Sequence, residues 1–208
     1  MLATNKAWLS AAKQLPGHLL AAHNLQIAAA EEALAFDPAK LARDRALVEP
    51  ALLPLQKRFP GMIGFASRDS TELRVNGSLL GVSFGDAELA TLKPLREWIV
   101  DLDLSETAVT DASAPALSGM ANLRTLRLNG TRVGDATLAA LAPLSQLESI
   151  ALFRTDVTDT GARVLTQLPQ LRRIYASETK ISPDALASLQ SARREPATVD
   201  RVPPIRPK

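Results

Sequence analysis

A segment that recurs in phase every 24 residues constrains the fold of this chain more than any other feature. LRTLRLNGTRVGD (Leu123–Asp135) returns as LESIALFRTDVTD (Leu147–Asp159) and again as LRRIYASETKISP (Leu171–Pro183). One period upstream the same spacing appears as IVDLDLSETAVTD (Ile99–Asp111). A fixed period of this length means that each copy is one structural unit, which buries its apolar face only by stacking on its neighbours. We therefore predict a solenoid.

Stacking the copies aligns their apolar residues in columns, and each column predicts one layer of the core. The columns are Ile99/Leu123/Leu147/Leu171, Leu102/Leu126/Ile150/Ile174, Leu104/Leu128/Leu152/Ala176 and Val109/Val133/Val157/Ile181. A further column holds Thr107, Thr131, Thr155 and Thr179, which we expect to hydrogen-bond backbone groups of a buried turn. The pattern L-x-x-L-x-L is typical of leucine-rich repeats. It predicts an α/β solenoid with a concave parallel β-face and helices on the convex side.

The boundaries of each coil can also be predicted. LRVNGSLLGVSFGD (Leu73–Asp86) matches the repeat if four residues, Leu79–Val82, are inserted in its turn, so one irregular coil precedes four regular ones. The residues at the predicted helix N-caps are Gly85, Thr110, Gly134, Thr158 and Ser182. The residues Asp86, Asp111, Asp135 and Asp159 follow these caps, where a carboxylate faces the positive end of the helix dipole. We interpret this regular series as structural and not as a row of catalytic carboxylates.

The chain is predicted to have three parts: a helical N-terminal cap (1–60), the solenoid (61–190) and a Pro/Arg-rich extended tail (191–208). The cap would cover the exposed end of the first coil with three helices. The third begins at Asp37-Pro38, and Pro50 and Pro54 are expected to end or kink it early. In the tail, Thr198–Val202 is an alternative candidate for pairing with the last strand.

Composition argues against several kinds of function. The net charge is +2, which by itself does not indicate nucleic acid, and the absence of cysteine removes thiolate chemistry and disulfides. The two histidines, His18 and His23, are five residues apart and about 140° apart around a helix, which is poor geometry for a shared metal. No P-loop, dinucleotide fingerprint or Ser-His-Asp set is present. We predict no enzyme activity, no cofactor and no metal, although carboxylate or Ser/Lys catalysis would leave little trace in a sequence.

The concave face is the most informative surface, because alternate strand residues point out of the core. In-register stacking would form three outward rows, Asp101–Thr125–Ser149–Arg173, Asp103–Arg127–Ala151–Tyr175 and Ser105–Asn129–Phe153–Ser177, with Glu106–Gly130–Arg154–Glu178 at the strand ends. Asp103/Arg127 and Arg154/Glu178 would be ion pairs. Aromatic and arginine side chains dominate protein interfaces, and they meet here although aromatics make up only 4% of the chain. The residues predicted to bind a partner are Arg127, Phe153, Tyr175, Arg173, Arg154 and Asp103.

A family resemblance can be added. The T-x-V-T-D coils (Thr107–Asp111, Thr155–Asp159) resemble short bacterial leucine-rich repeats. The segments EPALLPLQKRF, ELRVNGSLLGVSFGDAELATLKPL, WIVDLDLSETAVTD and LRRIYASETKIS, within about Ala30 to Gln190, resemble the C-terminal repeat region of planctomycete-type c-type cytochrome proteins. The resemblance implies a haem domain and a membrane region elsewhere in the family, with repeats outside the cytoplasmic membrane. Without C-x-x-C-H, no haem-binding residue can be transferred to this chain.

Two functions from different classes follow. The first is a non-catalytic scaffold, a subunit of a larger assembly, that binds a protein partner through its concave β-face. The alternative is an accessory or separated domain, itself without haem, of a membrane-associated c-type cytochrome complex. The expected location is periplasmic or extracytoplasmic if the resemblance holds, and cytoplasmic otherwise. No membrane span and no secretory signal are expected from the sequence, and no nucleic-acid partner.

Overall fold

The computed structural model describes residues 37–191. The first two predicted helices with His18 and His23, and the tail with Thr198–Val202, lie outside the described residues. The chain divides into two compact units between Leu41 and Ala42, and the second unit contains the whole β-sheet.

Helix α1 spans Pro38–Arg58, and its start is the one predicted from the sequence. Oδ1 of Asp37 accepts hydrogen bonds from the backbone amides of Ala39 (2.8 Å) and Lys40 (3.0 Å). These amides have no partner inside the helix, so the Asp37 side chain supplies one.

Of the two effects expected of Pro50 and Pro54, an early end of the helix is wrong, because α1 continues through both residues. Each proline removes one backbone donor and therefore weakens the helix. Both are exposed, so water can bond the carbonyls that lose a partner, while Val48, Leu52 and Leu55 are buried in the same core as the sheet. Tertiary burial of one helical face thus outweighs the local cost of the prolines.

One six-stranded sheet follows, with its strands in sequence order. The strands are β1 (Ile63–Phe65), β2 (Leu73–Asn76), β3 (Ile99–Asp103), β4 (Thr125–Arg127), β5 (Ser149–Ala151) and β6 (Arg173–Tyr175). Strand β1 is antiparallel to β2, and every later pairing is parallel. The predicted rows are confirmed where strands pair: Asp101, Thr125, Ser149 and Arg173 are register partners, as are Asp103, Arg127, Ala151 and Tyr175.

The return segments of the coils are short helices and 3₁₀ turns. The α-helices are α2 (Asp86–Ala90), α3 (Ala114–Ser118), α4 (Asp135–Ala140), α5 (Asp159–Leu165) and α6 (Pro183–Ser191), and the 3₁₀ turns are Gly77–Ser83, Lys93–Leu95 and Asp111–Ser113. The predicted insertion Leu79–Val82 lies in the first 3₁₀ turn, where Leu79 and Val82 are exposed. Strand, turn and helix recur with the period of the sequence, which is the architecture of a leucine-rich-repeat solenoid.

The buried threonines bond the turn backbone, as predicted. The hydroxyls of Thr107, Thr131 and Thr155 donate to the carbonyl oxygens of Leu104 (2.6 Å), Leu128 (2.6 Å) and Leu152 (2.8 Å). Thr179 donates to Ala176 in the same way (2.8 Å). Each bond stays within its own coil, so this column shapes the individual turn.

The aspartates after the helix caps join successive coils, a role that the sequence did not predict. Both Asp135 carboxylate oxygens accept from Thr158 of the next coil, Oδ1 from its amide (2.8 Å) and Oδ2 from its hydroxyl (2.6 Å). The four clamps run from Asp86 to Thr110, from Asp111 to Gly134 and Thr137, from Asp135 to Thr158, and from Asp159 to Ser182. We name this series the aspartate ladder.

The aspartate ladder also changes the pKa of two of its members. Burial acts to raise the pKa of Asp111, but the Thr137 hydroxyl and the amides of Gly134 and Thr137 outweigh it, so the pKa lies below its ordinary value. The amide and hydroxyl of Ser182 lower the pKa of Asp159. Hydrogen bonds to the ionised form stabilise it, and protonation therefore opposes folding.

The free energy of unfolding should fall in acid for this reason. A carboxyl group whose pKa is lower in the folded than in the unfolded chain stabilises the fold above its unfolded pKa of roughly 4. That contribution is lost as the pH falls through the folded pKa. Urea unfolding at pH 7 and pH 3 should therefore show a smaller pH effect in Asp111→Asn than in the wild type, with the variant less stable at pH 7. Equal pH effects in the two proteins would contradict this expectation.

Removing one clamp should destabilise the solenoid more than removing an exposed ion pair. Asp135→Ala leaves the amide and hydroxyl of Thr158 without their acceptor, and we expect a loss of about 1–3 kcal/mol in the free energy of unfolding. The matched control is Asp156→Ala, which breaks only the exposed pair with Lys180 (2.7 Å) and should cost less than about 0.5 kcal/mol. Equal urea midpoints for both variants would show that the clamp contributes nothing.

Candidate functional site

The outward face of the last four parallel strands forms an open groove of about 580 Å³. Ser149 and Ala151 of β5 are small, and Ala151 lies in register between Arg127 and Tyr175 on the neighbouring strands. The residues that line the groove are Ser105, Glu106, Thr125, Arg127, Asn129, Ser149, Ala151, Phe153, Arg154, Arg173 and Tyr175. Small residues between long ones leave a hollow, which we name the concave groove.

Five of the six residues predicted to bind a partner meet in the concave groove: Arg127, Phe153, Arg154, Arg173 and Tyr175. The sixth, Asp103, lines a separate hollow beside β1 and β2 together with Asp101 and Arg74. Arg127 borders both. The structure therefore brings the two aromatics and three arginines together, and places Asp103 on the far side of Arg127.

Ion pairs neutralise the N-terminal part of the face. The guanidinium of Arg127 lies 2.8 Å from Oδ1 of Asp101 and 3.9 Å from Oδ2 of Asp103. Arg74 lies 3.4 Å from the other Asp101 oxygen. The predicted pair of Arg127 and Asp103 is thus present, but the closer partner of Arg127 is Asp101, one step along the diagonal. These contacts fix the Arg127 side chain at the groove wall.

The predicted pair of Arg154 and Glu178 was wrong, because Arg154 lies 3.8 Å from Oε1 of Glu106 instead. Glu106 and Arg154 are two coils apart, and the residue between them is Gly130. A Cβ on Gly130 would collide with the Glu106 carboxylate, which lies across the vacant space. The missing side chain therefore lets Glu106 reach Arg154, and the Arg154 guanidinium is also 6.0 Å from the Phe153 ring centroid.

The strand ends share a left-handed backbone. Glu106, Arg154 and Glu178 have φ of 56°, 54° and 56°, and Gly130 has φ of 64° at the equivalent position. Three of the four coils thus place a residue with a Cβ where glycine is preferred. The left-handed conformation costs each of these three residues a small amount of free energy, and the chain leaves the concave face at this sharp turn.

Two polar groups of the groove and one bridging side chain have roles that the sequence did not predict. Asn129 accepts from the Phe153 amide (3.0 Å) and donates to the Ser105 hydroxyl (3.3 Å), which ties three coils together below the aromatic ring. Ser149 is only 7% exposed, and its hydroxyl makes no hydrogen bond to any described residue, nor does that of Thr125. The predicted rows contained these residues, but burial and bonding depend on neighbouring coils.

Other kinds of site find no support in the described part of the chain. Within residues 37–191, no cluster of three His, Cys, Asp or Glu residues could hold a metal ion. None of the helices in that range combines the length and apolar character needed to cross a bilayer.

Comparisons with known proteins give matches only among solved structures. No protein-family model matches the chain, and no curated protein matches it. It is similar to an internalin (inlF) from Listeria monocytogenes at 23% identity and a TM-score of 0.40, covering 47% of this chain and 28% of the internalin. It is also similar to an internalin C2 (inlC2) from the same organism at 19% identity and a TM-score of 0.37, covering 74% of this chain and 80% of that one. The leucine-rich-repeat assignment rests on the repeat and its geometry.

Glycine at the left-handed position of the last coil should stabilise the protein. Glu178→Gly removes a Cβ from a residue with φ of 56°, and we expect a gain of up to about 1 kcal/mol in the free energy of unfolding. The neighbouring Ser177→Gly relieves no such strain and should destabilise slightly, because glycine adds entropy to the unfolded chain. Urea unfolding of both variants checks the difference, and a loss of stability in both would refute it.

Proposed function

We propose that this protein is a non-catalytic interaction scaffold whose concave groove binds a protein partner. The residues assigned to the interface are Arg127, Phe153, Tyr175, Arg173, Arg154 and Asp103. Phe153 and Tyr175 would contact apolar groups of the partner, and the arginines would orient it. The solenoid would have one irregular and four regular coils behind a helical N-terminal cap.

The observation that supports this proposal is the position of two aromatic side chains, Phe153 and Tyr175, on either side of the small Ala151. Tyr175 is the register partner of Ala151, and Phe153 lies two residues further along the chain from Ala151. Both rings are half-buried and line the groove. Aromatic side chains offer a large contact area at low entropic cost, and they are enriched among residues that dominate binding energy.

The groove is also held rigid before any partner arrives. Its lining residues lie on or next to strands that are hydrogen-bonded in register, and the inward neighbours Leu126, Ile150 and Ile174 are fully buried. A preformed surface loses less conformational entropy on binding than a flexible one. The cytochrome-associated alternative stays a prediction from the sequence resemblance alone.

The double variant Phe153→Ala/Tyr175→Ala tests the proposal. Partners that co-purify with the wild-type protein from its native source should be lost, because both apolar contacts are removed while the inward core is unchanged. The matched control is Leu79→Ala/Val82→Ala, which removes exposed apolar side chains outside the groove. Unchanged co-purification of every partner with the groove variant would refute the concave-face site.

A further inference from the structure

We propose, on the basis of the proposed function, that the partner segment is an extended acidic peptide. One carboxylate would pair with Arg173 beside the hydroxyls of Ser149 and Thr125. A neighbouring apolar side chain would lie in the hollow over Ala151, between Phe153 and Tyr175. This inference names the chemistry of the partner, whereas the proposed function requires only that the groove binds a protein.

The distribution of charge around the groove points to an anion. Arg127 is paired with Asp101 (2.8 Å), and Arg154 has Glu106 nearby (3.8 Å). Arg173 is exposed and has no acidic partner within residues 37–191. The groove therefore presents one uncompensated guanidinium at its C-terminal end, and a guanidinium binds a carboxylate in a bidentate manner.

The hydroxyls next to Arg173 strengthen this assignment. Thr125, Ser149 and Arg173 are register partners on successive strands, so their side chains share one face about 4.8 Å apart. Only 7% of the Ser149 surface is exposed, yet its hydroxyl has no hydrogen-bond partner among the described residues. Hydroxyl groups of buried side chains are nearly always hydrogen-bonded. A ligand oxygen held by Arg173 would supply the missing partner.

The apolar half of the groove lies one strand step from the charged half. Arg173 and Tyr175 are two residues apart on β6 and point to the same side, about 6.6 Å apart at the usual strand rise. An extended peptide separates side chains on one face by the same distance. An acidic residue two positions from an apolar residue would thus reach Arg173 and the aromatic hollow together.

The same charges disfavour other anionic partners. Phosphopeptide sites use clusters of arginines, and here one guanidinium is uncompensated. Nucleic acid binding needs several unpaired basic residues along a track, whereas Asp101, Asp103 and Glu106 neutralise most of this face. A single carboxylate matches one guanidinium and the adjacent hydroxyls.

The test is peptide selection on the full chain. A phage-displayed library of random twelve-residue peptides should yield binders with Asp or Glu two positions from an apolar residue. Arg173→Glu should weaken the best synthetic peptide by about tenfold or more, because attraction becomes repulsion. Arg172→Glu is the matched control, since Arg172 is exposed but does not line the groove, and it should change the affinity less than twofold. Replacing the acidic residue of the peptide by lysine should restore binding to Arg173→Glu.

The outcomes separate the two proposals. If Arg173→Glu leaves the affinity unchanged while Phe153→Ala/Tyr175→Ala abolishes it, the acidic partner is wrong and the groove stands. If neither variant affects binding, the selected peptides bind elsewhere and the acidic partner is wrong. A library without any groove-dependent binder overturns the extended acidic peptide, and the co-purification experiment then decides the proposed function on its own.

Discussion

Each coil of this protein depends on the next one through the aspartate ladder. A carboxylate that starts one helix accepts the amide and hydroxyl of the residue that caps the following helix, as between Asp135 and Thr158. The contact fixes the spacing of the helices on one side while the parallel strands fix it on the other. Gly161 shows how close the layers are, because a Cβ there would lie 2.5 Å from the Asp135 carboxylate. A stack held at both edges has little freedom to bend, so its strands stay in register.

This register produces the candidate site. The inward positions of each strand are used up by the core, where Leu126, Ile150 and Ile174 are fully buried. The outward-facing residues of the same strands do not pack in this core, so their side chains can differ from coil to coil. Neighbouring coils then place Ala151 beside Tyr175, and a hollow forms where a small side chain on one coil lies next to a large side chain on the following coil. The regular part of the sequence thus builds the scaffold, and its irregular part builds the surface.

Much of this could be predicted from the sequence, because the fold repeats and each repeat carries the same local signals. The strand rows, the helix caps and the Thr107-type turn bonds all followed from aligned positions. The failures concern effects that act across coils or against local preference. Pro50 lies inside α1 because tertiary burial of one helical face supports the helix. Arg154 lies near Glu106, two coils away, because Gly130 has no side chain between them. Pairing only residues of adjacent coils, as the sequence prediction did, does not find this contact.

Within residues 37–191, Ser149 combines low exposure with a hydroxyl that has no hydrogen-bond partner, and the exposed Arg173 on the neighbouring strand has no acidic partner. Buried hydroxyls are nearly always hydrogen-bonded, and the rest of this solenoid follows the rule closely, since Thr107, Thr131 and Thr155 all donate to turn carbonyls. Ser149 is an exception in a solenoid whose buried threonine hydroxyls are hydrogen-bonded, and this exception points to a ligand at Ser149. The uncompensated guanidinium of Arg173 lies beside it on the neighbouring strand, so one incoming carboxylate would satisfy both groups. The same contact would bring the adjoining peptide over Ala151, where the two aromatic rings supply the apolar half of the interface.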